Sequence, residues 1–125
     1  MIQNLKNRPN KGKDISWCGG LFEGEGCFYL HNRGEGRVRA YACLNMSDKD
    51  SVEEFHKAIG VGSIFGPYGD YRKRKDGSER LPQWRWYTTG PKAIEVMELL
   101  WDYLGNRRRN KIIEILESVE AYYAI

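Results

Sequence analysis

Glu23 and Glu25, separated by one glycine and preceded by the apolar run Trp17-Cys18-Gly19-Gly20-Leu21-Phe22, are the carboxylates best placed for chemistry in this chain. The run predicts a helix from an Asp14 N-cap to about Gly24. Both acids then fall at its C-terminus, where the macrodipole disfavours negative charge. A divalent cation held by carboxylate oxygens would explain that placement. The same helix carries Gly19, Gly20 and Gly24. Each interior glycine costs about 0.8–1 kcal/mol relative to alanine, a cost that close approach by a second helix would offset.

Gly26 ends the helix, and two alternating runs follow, 27–33 and Arg37 to Met46, around the turn residues 32–36. Successive side chains on a strand alternate sides. Phe28, Leu30, Val38, Ala40, Ala42, Leu44 and Met46 therefore point into a core, and Tyr29, His31, Arg33, Arg37, Arg39, Tyr41 and Asn45 point away from it. An open strand face of Arg, Tyr, His and Asn carries donors suited to base edges and phosphates. Ser47-Asp48-Lys49-Asp50 reads as a capped helix start, with Val52, Phe55 and Ile59 on one face of the helix, closed by Gly60-Val61-Gly62. Ser63–Tyr68 and Gln83–Thr89 form a second hairpin around a basic loop, with Trp84 and Trp86 inward and Gln83, Arg85 and Tyr87 outward. Pro91 opens a helix with Ile94, Met97, Leu100, Trp101 and Leu104 at helical spacing. After Gly105-Asn106, a last helix from about Arg108 to Tyr123 carries Ile112, Ile113, Leu116, Val119 and Tyr123. His31 and His56 are expected at the surface.

The 125 residues suffice for one domain, 14–125, preceded by a flexible basic arm over 1–13. Net charge is only +3, from 20 Lys and Arg against 17 Asp and Glu. Its distribution says more than its size. Lys6, Arg8, Lys11 and Lys13 lie in the arm without an acid, Arg72, Lys73, Arg74 and Lys75 are consecutive, and Arg107, Arg108, Arg109 and Lys111 form a third block. Such blocks fit phosphate neutralisation better than general solubility. The cysteines at 18, 27 and 43 lack metal-ligand spacing and are odd in number, and no secretory leader or long apolar run is seen. Free thiols, buried or half-buried, in a reduced intracellular compartment are expected, with no membrane partner.

From Cys18 to Gly26 the chain resembles the signature of the LAGLIDADG homing endonucleases, with Gly20-Leu21-Phe22-Glu23-Gly24-Glu25-Gly26 as the matching core. The order hairpin, helix, hairpin, helix that follows is the one this family requires, so the resemblance covers residues 14–120. It implies an α+β domain of order αββαββα, with a four-stranded antiparallel DNA-binding saddle and a C-terminal helix. It implies that Glu25 binds a metal, Mg²⁺ with Mn²⁺ as a substitute, while Glu23, at the first acidic position, lies closer to capping and packing. Glu23 and backbone groups such as Gly24 complete the candidate metal set. By order along the chain, the family's basic catalytic residue matches Arg107 or Arg108, and its polar residue at the end of the second strand matches Ser47 or Asn45.

The function so implied is site-specific hydrolysis of both strands of double-stranded DNA, by a gene product of the intron or intein mobility type. One motif per chain calls for a homodimer joined through Trp17, Gly19, Gly20 and Gly24. The DNA face comprises Tyr29, His31, Arg33, Arg37, Arg39, Tyr41, Asn45, Arg72, Lys73, Arg74, Lys75, Gln83 and Arg85. The expected setting is the cytoplasm or nucleoid of a bacterial or phage-infected cell, or an organelle. The rival is a non-cutting DNA-binding regulator or RNA intron splicing factor (maturase) of the same fold; retention of both acids argues against it.

Overall fold

Asp14 starts the helix that organises the domain. Its carboxylate accepts from the Trp17 N–H at 2.9 Å, and the helix, α2, runs from Ile15 to Glu25. The computed structural model describes residues 1–9, 11–32, 34, 37–69, 75–78 and 81–123. Upstream, Ile2–Lys6 forms a short helix, α1, with no buried residue.

Four strands, β1 (Gly26–Asn32), β2 (Val38–Met46), β3 (Ser63–Tyr68) and β4 (Gln83–Thr89), form one open antiparallel sheet in the order β1-β2-β4-β3. Two hairpins thus meet along β2 and β4, with Cys43 opposite Tyr87 and Asn45 opposite Arg85. Helix α3 (Lys49–Ile59) separates the hairpins. It is capped by Asp48, whose side chain accepts from Asp50 N–H, and is closed by Gly60 at φ 81°, a left-handed conformation that glycine adopts at no steric cost. Helices α4 (Pro91–Leu100) and α5 (Asn106–Tyr123) complete the chain.

The four long helices cover one face of the sheet and leave the other open. Phe22 of α2 is fully buried in an aromatic cluster. It stacks on Phe28 at 4.5 Å, and beyond it Phe55 meets Trp86 edge-on at 4.7 Å. The Trp86 indole N–H is satisfied by the Val61 carbonyl at 2.9 Å. Inward positions of β2 and β4, including Ala40, Ala42, Leu44 and Thr88, close the core beneath the helices. Leu30, Val38, Met46 and Trp84 are half-buried at its margin.

Two helical faces differ from the pattern expected from spacing. Helix α4 stops at Leu100, and Trp101–Tyr103 tightens into a 3₁₀ turn. Leu104 is buried from extended backbone beyond that turn, so its spacing from Leu100 mimics a helical repeat without being one. Ala93 and Val96 join Met97 and Leu100 in the core, while Ile94 is half-buried. On α5 the buried residues are Ile112 and Ile115; Ile113 and Tyr123 are exposed. That helix packs on β1 and β2 near the sheet edge and presents only a narrow stripe inward. Cys27 is exposed, unlike Cys18 and Cys43. His56 is half-buried, its Nε2 2.9 Å from the Gly62 carbonyl.

Candidate active site and nucleic-acid interface

The C-terminus of α2 meets the N-terminus of α5 at one end of the sheet, and the two glutamates part company there. Glu23 turns inward. Its Oε2 accepts from the Gly105 N–H at 3.0 Å, its main-chain oxygen accepts from Arg108 Nε at 3.0 Å, and the same Nε lies 3.5 Å from Oε2. Arg108 is held further by the Phe22 ring, 5.8 Å from its guanidinium carbon. Glu25 is the last residue of the helix and is exposed, with no hydrogen bond or ion pair among the described residues. Gly24 between them is exposed.

Of the two arginines, Arg107 is exposed and Arg108 is half-buried. Both line an open concavity of about 340 Å³ with Cys27, Phe28, Asn110, Lys111 and Glu114. Cys27, part of the lining of this hollow, follows Glu25 by two residues in the chain. Ser47 is exposed just past the end of β2. Because Gly26 at the start of β1 pairs with Leu44, Ser47 leaves the sheet at the same end as Glu25.

The glycines of α2 divide by environment. A side chain at Gly19 would run into Tyr103 of the 3₁₀ turn, so its bareness serves packing inside the chain. Gly20 and Gly24 face open space, with no atom within 4 Å of where a Cβ would stand. Trp17 is half-buried and carries Lys13 Nζ 5.4 Å from its ring centre. The outward stripe of α2 is therefore Ser16, Gly20 and Gly24.

The open face of the sheet carries the polar and aromatic ladder anticipated from alternation. Tyr29 stacks on Tyr41 at 4.4 Å, Tyr41 lies parallel to Tyr87 at 5.9 Å, and His31 meets Tyr41 edge-on. Burial, reinforced by the neighbouring Tyr41, pushes the Tyr29 hydroxyl well above its usual range, so it stays a donor at any physiological pH. Asn45 Oδ1 accepts from both Tyr68 Oη at 2.6 Å and Arg85 Nε at 2.8 Å, with Arg85 also 5.2 Å from the Tyr68 ring centre. Gln83 is half-buried opposite Tyr68. Arg37, Arg39 and Lys75 are exposed. Arg33, Arg72, Lys73 and Arg74 lie outside the described residues.

Cys43 sits on this face between Cys27 and Tyr87 and is buried. Burial, with a smaller effect from Cys27, raises its thiol to about 11. Tyr68, Tyr87, Tyr103 and Gly105 are the contributors that sequence reasoning did not name as site residues. Strand alternation marks Tyr87 as outward, whereas the parts of Tyr68, Tyr103 and Gly105 depend on contacts between elements. No described helix is long and apolar enough to cross a membrane.

Comparison with protein-family models and with curated proteins finds no match. Among solved structures, the chain is similar to the homing endonuclease I-CvuI in complex with its target in the presence of Ca, at 19% identity and TM-score 0.58, over 85% of this chain and 66% of that one. It is similar to the LAGLIDADG meganuclease I-AabMI bound to uncleaved DNA, at 18% identity and TM-score 0.60, over 78% of this chain and 32% of that one. An archaeal intron-encoded homing endonuclease complexed with DNA matches at 14% identity and TM-score 0.58, over 97% of this chain and 69% of that one. The chain thus spans from about a third to about two thirds of the length of these proteins. What these likenesses show is the fold: with one open antiparallel sheet of order β1-β2-β4-β3 backed by helices, this chain has the fold of the LAGLIDADG homing endonucleases.

Proposed function

We propose that this protein is a site-specific double-strand DNA endonuclease, metal-dependent and active as a homodimer. The observation that carries the reading is the division of labour between the two acids: Glu23 is engaged within the chain, while Glu25 has no partner among the described residues and ends α2 two residues before Cys27 of the basic hollow.

A carboxylate and the carbonyl oxygens of a helix's last turn are hard oxygen donors, the set that Mg²⁺ or Mn²⁺ takes, so the residues present fit such an ion. Glu25 would hold it, with Gly24 supplying backbone oxygen and phosphate oxygens and water the remainder. When bound, such an ion polarises a phosphodiester and lowers the pKa of water. Arg107 is the better candidate for the basic residue, because Arg108 is already tied to Glu23. As a permanent cation Arg107 can stabilise charge building on phosphate oxygens but cannot carry a proton near neutral pH. Ser47, leaving β2 at the same end, would position a phosphate or water by hydrogen bonding.

The open face of β1–β4 would lie on duplex DNA, with His31, Arg37, Arg39, Tyr41, Gln83 and Arg85 supplying phosphate and base contacts. The outward Ser16, Gly20 and Gly24 allow the α2 helices of two copies to approach closely about a two-fold axis. That pairing would bring two Glu25 carboxylates together, one per DNA strand. Incubating the protein with a randomised duplex library in Mg²⁺ and in Ca²⁺, then sequencing cut ends, tests the reading. Recurrent cuts at a pseudo-palindrome in Mg²⁺ support it. Enrichment of a site without any cut would replace it with a DNA-binding regulator or splicing factor.

A further inference from the structure

We infer that Cys27 and Cys43 form a dithiol site that takes a low-molecular-weight disulfide and becomes an intrachain disulfide in the native fold. The two residues are direct partners in the β1–β2 register, so both side chains leave the same face of the sheet. Cα atoms of such partners stand about 4.5–5.5 Å apart, inside the disulfide range of about 4.4–6.8 Å. Cys27 Sγ donates weakly to the Phe28 carbonyl at 3.7 Å, a contact that an exchange reaction can give up. Cys27 is exposed and lines the hollow beside Arg107 and Lys111, whereas Cys43 is buried behind it. The pair is therefore asymmetric, an entry sulfur and a resolving sulfur. Cys18 is fully buried in α2 and stays outside the exchange.

The steps balance. Cys27, having lost its proton to water, attacks one sulfur of the small disulfide, forming a mixed disulfide and releasing one thiolate. Cys43 then attacks the Cys27 sulfur as its thiolate and releases the second thiolate; because burial keeps the Cys43 thiol protonated, this is the slower step and it quickens as pH rises. Two protein thiols lose two electrons and two protons, and the small disulfide is reduced to two thiols. Cross-strand Cβ atoms stand about 4.5–5.5 Å apart, wider than the roughly 3.8 Å mean of a relaxed disulfide. The product is accordingly strained and readily returned to the dithiol by reducing thiols.

The test is intact-mass and peptide mapping of the full native chain after incubation with glutathione disulfide, followed by denaturation and alkylation. The expected product has lost two hydrogens, carries one alkyl group on Cys18 and yields a crosslinked Cys27–Cys43 peptide that dithiothreitol removes. Cys43→Ala should stop at the glutathione adduct on Cys27, and Cys18→Ala should crosslink as the wild type does. A stable glutathione adduct on the wild-type chain, three alkylated thiols, or a crosslink through Cys18 or to a second chain would each overturn the assignment. The readout is independent of DNA cleavage.

Discussion

Arg108 fastens the end of α2 to the start of α5: its Nε donates to the Glu23 main-chain oxygen at 3.0 Å and lies 3.5 Å from the Glu23 carboxylate. With only 11% of its side chain exposed, Arg108 makes this contact largely out of water, where a charge-assisted hydrogen bond is worth about 1.5–3 kcal/mol. The ion pair adds little, since Glu23 is more exposed. Arg108→Ala is expected to lower unfolding free energy by about 1.5–3 kcal/mol, whereas Arg107→Ala should stay within about 0.5 kcal/mol of wild type. Urea denaturation of the two variants decides it, and equal losses would remove the distinction between an anchored and a free arginine.

Glu25→Gln keeps the shape of the side chain and removes its charge. Cleavage in Mg²⁺ should fall by more than about 100-fold, while the thermal unfolding temperature and DNA binding in Ca²⁺ are retained. Glu23→Gln should instead lower stability, because its carboxylate is engaged with Gly105 and Arg108. A gel-shift assay paired with a cleavage time course separates the two. Unchanged cleavage by Glu25→Gln would end the proposed role of that residue.

Gly19 and Gly20 are neighbours with opposite expectations. Gly19→Ala drives a methyl into Tyr103 and should cost about 1–3 kcal/mol in the folded chain. Gly20→Ala meets no atom and gains helix propensity, stabilising an isolated chain by up to about 1 kcal/mol, yet it should weaken self-association. Sedimentation equilibrium alongside thermal unfolding reads both. Self-association unaffected by alanine, and then by leucine, at position 20 would move any dimer contact off this helix.

Cys43 gives an alkaline signature. Its thiol titrates near 9.0 in the unfolded chain and is raised by burial to about 11 in the folded one. Between those values the folded state binds more protons than the unfolded state, so stability falls as pH rises through that window. Cys43→Ser should show a shallower decline over the same window. Chemical denaturation at pH 8, 9 and 10 measures the slopes; parallel slopes in the two proteins would mean that Cys43 does not contribute.

Much of the scaffold can be read locally. Asp14 and Asp48 announce helix starts through carboxylates that accept backbone N–H groups within three residues, Gly60 ends a helix through its left-handed φ, and alternation from residue 27 to 46 sorts the sheet faces. Glu23 marks where such reading stops. Its partners Gly105 and Arg108 are 82 and 85 residues away, so only the packing of α2 against α5 distinguishes it from Glu25. The end of α4 was obscured for a related reason, because Leu104 is buried from outside the helix whose spacing it continues. The cysteine pair depends on the exact register within the first hairpin, and the Tyr68–Asn45–Arg85 group on how the two hairpins meet along β2 and β4; local pattern specifies neither.

That last group has a consequence for whatever lies on the sheet. A carbonyl oxygen has two lone pairs, and both of those on Asn45 Oδ1 are occupied, one by a phenol and one by a guanidinium. Among the described residues the amide nitrogen is the part of the side chain left without a partner, so Asn45 meets an incoming molecule as a donor rather than an acceptor. Adenine recognition by asparagine requires both capacities at once. If duplex DNA lies on this face as proposed, Asn45 would favour acceptor edges there, such as the O6 and N7 of guanine or the O4 of thymine, through a polarity imposed by its own neighbours.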